Sequence, residues 1–155
     1  MQEEIEKAKS VAFRLLSYRM RSCKEIADKL KEKGFPRDTI HTVIRDLKRI
    51  NYLDDYKFAK EFVESRLIHN PKGRTLLRYE LSQKGVESKI IDAVIEEKIS
   101  TAKEEKTARL LAEKVWQKKK NREIIKRKAQ TYNYLARRGF PVSIVTKILD
   151  ELKEF

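Results

Sequence analysis

The sequence predicts an all-α protein, an elongated tandem array of three three-helix modules that each resemble a helix-turn-helix. One pattern occurs three times, roughly fifty residues apart, and repeats of this length stack to bury what each alone would expose. With 39% charged residues and only four glycines, the composition favours long solvated helices, and no stretch alternates like a strand. The predicted modules are residues 1–53, 54–99 and 100–155.

The repeated pattern is a Leu, a Gly four residues later, and apolar residues six, nine and ten places after the Gly. The Leu and the later apolar residues predict two successive helices, each with one face packed on a core. The Gly predicts the residue in left-handed conformation that ends the first of these helices. The three copies are Leu30, Gly34, Ile40, Val43 and Ile44; Leu81, Gly85, Ile91, Val94 and Ile95; and Leu135, Gly139, Val145, Ile148 and Leu149.

The first module begins with a helix predicted over residues 3–19, where apolar residues recur every three or four places. Ser22 and Glu25 have the spacing of a capping box, which predicts the start of a second helix. Gly34 should end that helix, and Pro36 should stand at the start of the third, because its φ suits a helix beginning.

The second module opens at Asp54 and Asp55, either of which can cap a helix. Adjacent carboxylates can also serve acid–base or metal chemistry, but at a helix start they are far more often caps. Residues 70–73, Asn-Pro-Lys-Gly, predict a turn before a second helix, which should end at Gly85.

The third module is predicted to start near Ser100 or Thr101, since Thr101 and Glu104 have capping-box spacing. Asn121 is predicted to cap a second helix that reaches Arg138 and is longer than its counterparts. Pro141 and Ser143 should begin the last helix.

Charge favours an anionic partner. The formal net charge is +13, with 13 basic and 8 acidic residues in 1–53, nine of each in 54–99, and 15 basic and 7 acidic residues in 100–155. Nucleic acid, a membrane surface or an acidic protein would each suit such a balance. The neutral middle module argues against a tandem DNA reader, which should keep its charge in every module.

The sequence does not favour a disulfide, secretion, a membrane span or a metal site. A single cysteine, Cys23, cannot form an internal disulfide, and no secretion-signal pattern opens the sequence, so we expect a cytoplasmic protein. No apolar run approaches the ~20 residues that span a bilayer. His41 and His69 lack metal-ligand spacing. We therefore expect no cofactor, no metal, no membrane association and no enzymatic activity, in a protein that is a monomer.

A family resemblance is carried by residues 47–63, LKRINYLDDYKFAKEFV, by Gly73-Arg74, and by Lys84-Gly85-Val86 with the preceding Leu77 and Glu80-Leu81. These segments resemble the central signature of the RecX family, bacterial regulators of the RecA recombinase. Residues 135–140, LARRGF, resemble the terminal module of that family, so the match covers almost the whole chain.

The resemblance implies a crescent of three modules that lodges in the groove of a RecA filament on single-stranded DNA. It implies inhibition of ATP hydrolysis, strand exchange and coprotease activity, and hence a role in homologous recombination, DNA repair and the SOS response. Direct contact with single- or double-stranded DNA is also possible. The alternatives are a tandem helix-turn-helix DNA-binding protein and a passive scaffold for an unrelated acidic protein.

The charged residues that would touch the filament or nucleic acid come from three segments. The densest run lies between Lys114 and Lys128, where Glu123 is the only acidic residue, and it can be a binding site or simply a solvated face. The segment at residues 72–74 can be an anion-binding helix start or a plain turn. The predicted contacts are Lys72, Arg74, Arg78, Lys118, Lys119, Lys120, Arg122, Lys126, Arg127, Lys128, Arg137 and Arg138.

Aromatic residues near this basic run could stack on bases, as single-strand binders do. Trp116 is expected in the core instead. Of Tyr132 and Tyr134, one should face inward and the other outward, since positions two apart lie on different sides of a helix.

Overall fold

The computed structural model describes residues 1–152, and over that range the chain is entirely helical between its turns, which confirms the all-α prediction. Residues 153–155, at the end of the third predicted module, lie outside the described residues. The helices are α1 (Gln2–Tyr18), α2 (Cys23–Glu32), α3 (Arg37–Arg49), α4 (Asp55–His69), α5 (Arg74–Gln83), α6 (Ser88–Lys98), α7 (Thr101–Lys118), α8 (Ile124–Arg137) and α9 (Val142–Glu151).

The described residues gather into two compact units. One unit comprises Met1–Phe62 and Leu81–Val94, and the other comprises Val63–Glu80 and the chain from Ile95 onward. Helices α4, α5 and α6 each contribute residues to both units. The division into modules at residues 53 and 99 stays a prediction.

Helices α1, α2 and α3 pack on one another in the first unit. As predicted, Ser22 and Glu25 form a capping box at the start of α2: the Ser22 hydroxyl accepts from the Glu25 amide and the Glu25 carboxylate from the Ser22 amide, both at 3.1 Å. Gly34 ends the helix with φ +90°. The buried core of these helices consists of Ala8, Ala12, Ile26, Leu30, Val43, Leu47 and Leu53.

Asp54 and Asp55 serve as caps, which confirms that interpretation. The Asp54 carboxylate accepts from the amides of Tyr56 (3.0 Å) and Lys57 (3.2 Å) at the start of α4. Asp55 accepts from the amide of Cys23, the first residue of α2, at 2.9 Å. Burial, followed by the charge of Asp55, raises the pKa of the Cys23 thiol to about 12. That thiol therefore stays protonated at neutral pH.

The turn after α5 contacts α2 within the first unit. The Ser22 hydroxyl donates to the Lys84 carbonyl at 2.6 Å, and the Lys84 ammonium lies 3.3 Å from the Glu25 carboxylate. Burial tends to raise the pKa of Glu25, but hydrogen bonds from Arg19 and the Ser22 amide outweigh it and lower that pKa to about 2. Glu25 thus caps a helix and binds two cations at once.

Helices α7, α8 and α9 pack together in the second unit. Trp116 is fully buried among them, which confirms its assignment to the core. The helix α8 has 14 residues against 10 in α2 and α5, so the prediction of a longer second helix is also confirmed. The core of these helices consists of Ala108, Ala112, Trp116, Leu135, Phe140, Ile144, Val145, Ile148 and Leu152.

Two predicted caps of the third module are wrong. Ser100, not Thr101, caps α7, because its hydroxyl accepts from the Lys103 amide at 3.1 Å while the Glu104 side chain is bound elsewhere. Asn121 does not cap α8, which begins at Ile124 after Glu123. The chain is still turning before that point, since the Arg122 amide donates to the Lys119 carbonyl at 2.9 Å.

Candidate functional site

An exposed basic cluster lies where α7 ends and α8 begins, and we call it the basic junction. Lys118, Lys120, Arg122 and Lys126 are exposed, while Lys119 and Lys128 are half-buried. Among residues 1–152, none of these side chains has a carboxylate within ion-pair distance. The basic junction consists of Lys118, Lys119, Lys120, Arg122, Lys126 and Lys128, and it presents unpaired positive charge to any partner.

Arg127, predicted as part of this surface, lies inside the protein. Its side chain is only 9% exposed, and its Nε and Nη2 atoms donate to the Trp116 carbonyl oxygen at 2.9 and 2.7 Å. Its guanidinium carbon lies 3.9 Å from the centroid of the Trp116 ring. Trp116 belongs to the last turn of α7, where its carbonyl also accepts from the Lys119 amide at 3.3 Å and where cations are favoured.

Arg127 links the two helix ends that carry the basic junction. It joins the C-terminal turn of α7 to the first turn of α8 by a forked hydrogen bond and a cation–π contact. The lysines on either side of it in sequence point elsewhere and stay exposed or half-exposed. Because its own charge is enclosed, Arg127 does not belong to the exposed surface of the basic junction.

Arg74, also a predicted contact, is bound to a buried carboxylate within the second unit. Glu104 is 3% exposed; its Oε2 atom accepts from the Arg74 amide at 2.8 Å and its Oε1 atom from Arg74 Nε at 2.7 Å. Arg74 is the first residue of α5, so Glu104 supplies the negative charge that a helix N-terminus favours. Pairing and hydrogen bonding compensate the burial of the Glu104 carboxylate.

The backbone before α5 packs directly on the loop that follows α8. The Gly73 amide donates to the Arg138 carbonyl at 2.8 Å and the Thr75 amide to the Gly139 carbonyl at 3.0 Å. A Cβ atom on Gly73 would lie 2.3 Å from the Gly139 carbonyl oxygen, so only glycine permits this approach. Because the amides of residues 73, 74 and 75 already have acceptors in the chain, they do not form an open anion site.

Of the remaining predicted contacts, two bind other residues of the second unit and two are exposed. Lys72 pairs with Glu80, which Arg66 also approaches at 3.6 Å. Arg138 donates to the Asn70 side-chain oxygen at 3.0 Å and lies over the Tyr134 ring at 5.4 Å. Arg78 and Arg137 are exposed. Lys72, Arg74, Arg127 and Arg138 thus hold the second unit together, whereas the basic junction, Arg78 and Arg137 face solvent.

The expectation that Tyr132 and Tyr134 face opposite ways is wrong. Both are half-buried and both pack against the core of α7, α8 and α9. The buried line of α8 passes through Thr131 and Leu135, and each tyrosine lies about 80° to one side of it at 100° per residue. Each ring therefore covers one edge of the core.

Two exposed apolar residues beside the basic junction were not expected from the sequence. Ile124 is 47% exposed and Ile125 is 74% exposed. The sequence signal for Ile125 is its position on α8, on the side away from Arg127 and Thr131. Apolar periodicity did not reveal the exposure of Ile125, because the buried side of α8 includes an arginine, Arg127.

None of the helices within residues 1–152 is both long and apolar enough to cross a membrane. In the same part of the chain, no three His, Cys, Asp or Glu side chains are grouped so as to bind a metal ion.

The three groups of helices match the three-helix domains of one family. Residues 8–47 match the first three-helix domain of RecX, residues 54–95 the second and residues 103–149 the third. Two solved structures have the same fold. A RecX crystal structure from Lactobacillus salivarius aligns over 100% of both chains with a TM-score of 0.89 at 24% identity, which supports the fold. A second crystal structure, of a regulatory protein RecX, aligns with a TM-score of 0.87 at 27% identity over 95% of this chain and 72% of that one.

Curated relatives named Regulatory protein RecX match most of the chain. The protein of Caldanaerobacter subterraneus subsp. tengcongensis is 38% identical over 147 residues, 95% of this chain and 71% of its own length. That of Prosthecochloris aestuarii is 37% identical over 96% of this chain and 95% of its own length. That of Oceanobacillus iheyensis is 31% identical, and this chain spans only 55% of it. On these matches the chain belongs to the RecX family, whose first, second and third domains correspond in order to α1–α3, α4–α6 and α7–α9.

Proposed function

We propose that this protein is a non-enzymatic regulator that binds the RecA filament on single-stranded DNA and inhibits its ATP hydrolysis, strand exchange and coprotease activity. The observation that carries the proposal is the tandem match to all three RecX domains, together with relatives named as regulatory proteins over nearly the whole chain. RecA is the partner to which the family resemblance points.

The basic junction is the proposed contact surface. It holds unpaired lysines and an arginine on the third domain, and Arg137 adds an exposed charge further along α8. A filament of recombinase on DNA offers both phosphates and protein carboxylates as partners for such charges. Arg78 is a second proposed contact, exposed on α5 one turn after Arg74.

The other predicted contacts support the site from within. Arg127 positions the basic junction through the Trp116 carbonyl, and Arg74 joins α5 to α7 through Glu104. Substitution of these residues should weaken binding only through loss of structure, whereas substitution of the exposed lysines should weaken binding without loss of structure.

The deciding experiment measures DNA-dependent ATP hydrolysis by RecA on single-stranded DNA while this protein is added. Less than one protein per RecA monomer should lower the rate, because a bound regulator acts on a filament of many subunits. An unchanged rate at equimolar protein, on filaments shown to have formed, would contradict the proposal. A parallel titration of DNA without RecA shows whether the protein is instead a DNA-binding module, since that function requires no recombinase.

A further inference from the structure

The outward side of α8 carries a stripe of apolar residues that the second unit leaves uncovered. The helix buries Arg127, Thr131 and Leu135. At 3.6 residues per turn, Ile125, Ala129 and Ala136 lie on the opposite side, and all three are exposed. Helices of globular proteins usually turn polar residues to that side, so an exposed apolar stripe marks a place for a partner.

Positive charges flank the stripe on both sides. Lys126 and Arg137 lie along one edge and Lys128 along the other, with the rest of the basic junction at the N-terminal end of the helix. Within residues 1–152 these three side chains have no carboxylate partner. Glu123 is the only acidic residue between Lys114 and Lys128. A matching surface would therefore have apolar side chains along its middle and carboxylates on each edge.

We infer that this face of α8 binds an acidic amphipathic helix of the recombinase filament, and that the filament is contacted here through protein and not through DNA. The inference rests on the proposed function, because it names the kind of filament surface that the basic junction contacts. The binding mode is that of two helices side by side, with apolar residues at spacings of three, four and seven facing one another.

Single-stranded DNA does not fit the stripe. Proteins that bind it without sequence preference stack its bases on exposed aromatic rings. Here Trp116 is fully buried against Arg127, and Tyr132 and Tyr134 are half-buried in the core. Phosphates could pair with the lysines, but they would leave Ile125 in water, 74% exposed.

An anionic membrane fits less well than a helix. Membrane-surface helices insert bulky apolar side chains such as Trp, Phe and Leu among the lipids. Along the stripe, Ala129 and Ala136 are small residues spaced by two helical turns, an arrangement that lets a second helix approach closely along its length. Ile125 then supplies the larger side chain at one end of the contact.

The experiment compares three variants for binding to RecA filaments, to a thymidine oligonucleotide alone and to phosphatidylglycerol vesicles. The stripe variant is Ile125→Gln with Ala129→Gln, which keeps every charge and uses a good helix former. The charge variant is Lys126→Gln with Lys128→Gln. The matched control is Leu110→Gln with Ala102→Gln, which replaces one large and one small exposed apolar residue on α7.

The stripe variant should bind filaments about tenfold to hundredfold more weakly than wild type, because an isoleucine is no longer buried at the contact. It should bind the oligonucleotide as wild type does. The charge variant should weaken both kinds of binding, and the control should change neither. A circular dichroism spectrum and melting curve establish that each variant is folded, and the milder Ile125→Ala should show a smaller loss in the same direction.

Wild-type filament affinity in the stripe variant would overturn the inference while leaving the proposed function intact. A stripe variant that loses only oligonucleotide binding would assign the face to DNA, and one that loses only vesicle binding would assign it to a membrane surface. If wild-type protein itself fails to bind the filament, the proposed function is wrong and the inference falls with it. These four results differ from one another, so a failure of the inference can be distinguished from a failure of the proposed function.

Discussion

At the scale of single residues, basic side chains at neighbouring positions serve two purposes. Lys126 is exposed and Lys128 half-buried, while Arg127 between them is enclosed against Trp116. The distinction follows from the periodicity of a helix, in which one residue of three consecutive ones faces the core. It also follows from guanidinium chemistry, since a fork of donors can share one carbonyl and its flat face can cover an aromatic ring.

We predict that Arg127→Lys destabilises the protein by about 1–3 kcal/mol although it keeps the charge, because the forked hydrogen bond and the stacking on Trp116 are lost. Urea unfolding followed by circular dichroism measures the change. Arg122→Lys is the matched control on the exposed side of the same junction, and its midpoint should equal that of wild type. A wild-type midpoint for Arg127→Lys would mean that Arg127 does not position the junction.

At the scale of the elements, glycine closes a helix in each repeat but does so in different surroundings. Gly34, Gly85 and Gly139 all have φ between +80° and +90°. A Cβ atom on Gly34 would meet nothing within 4 Å, whereas one on Gly139 would lie 2.2 Å from the Leu76 Cβ atom. The first glycine is required by the backbone conformation alone, and the last also by the close packing of the α8–α9 loop on α5.

The two glycines should therefore respond differently to the same substitution. Gly34→Ala should cost about 1–2 kcal/mol, the penalty for placing a side chain in the left-handed region. Gly139→Ala should cost about 3 kcal/mol or more, because displacement of the α5 backbone adds to that penalty. Denaturant unfolding of both variants is the measurement. Equal losses would indicate that α5 does not pack on the α8–α9 loop as described.

Element boundaries show how far local pattern extends. The capping box at Ser22 and Glu25 and the cap at Asp54 involve residues within one turn of each other, and both were predictable from spacing. The capping box expected at Thr101 and Glu104 had equally good spacing and did not form. Glu104 instead binds Arg74, thirty positions earlier in the chain, and a buried ion pair outweighs a local cap.

At the scale of the whole molecule, charge is spread unevenly over a protein of net charge +13. The positive charges of the basic junction have no ion-pair partner among the described acidic residues. Other basic residues of the second unit form salt bridges, such as Lys72–Glu80 and Arg74–Glu104. The net charge alone would attract any anion. A test of the basic junction must therefore separate its own contribution to filament affinity from the effect of the net charge.

We predict that replacing Lys118, Lys120, Arg122 and Lys126 by Gln lowers filament affinity roughly tenfold or more and flattens its dependence on salt, because fewer charge pairs form and fewer counterions are released. The free energy of unfolding should change by less than about 0.5 kcal/mol, since these side chains are exposed. Binding is measured by titration at several salt concentrations.

The matched control replaces four exposed lysines elsewhere, Lys31, Lys33, Lys57 and Lys89, by Gln, so that the net charge is the same. It should retain most of the wild-type affinity. If both quadruple variants lose affinity equally, only the total charge matters and the basic junction is merely a solvated surface.

The features that could be predicted from the sequence are those that depend on near neighbours along the chain. Apolar periodicity, helix-ending glycines and caps within one turn specify the nine helices found within residues 1–152, because these interactions form whenever the local backbone does. Which basic residues face solvent depends instead on how the helices pack. Arg127 reaches a carbonyl eleven residues back and Arg74 a carboxylate thirty residues ahead. Such long-range partners exist only after the helices have packed, and burial then makes the paired arrangement of these charges the stable one.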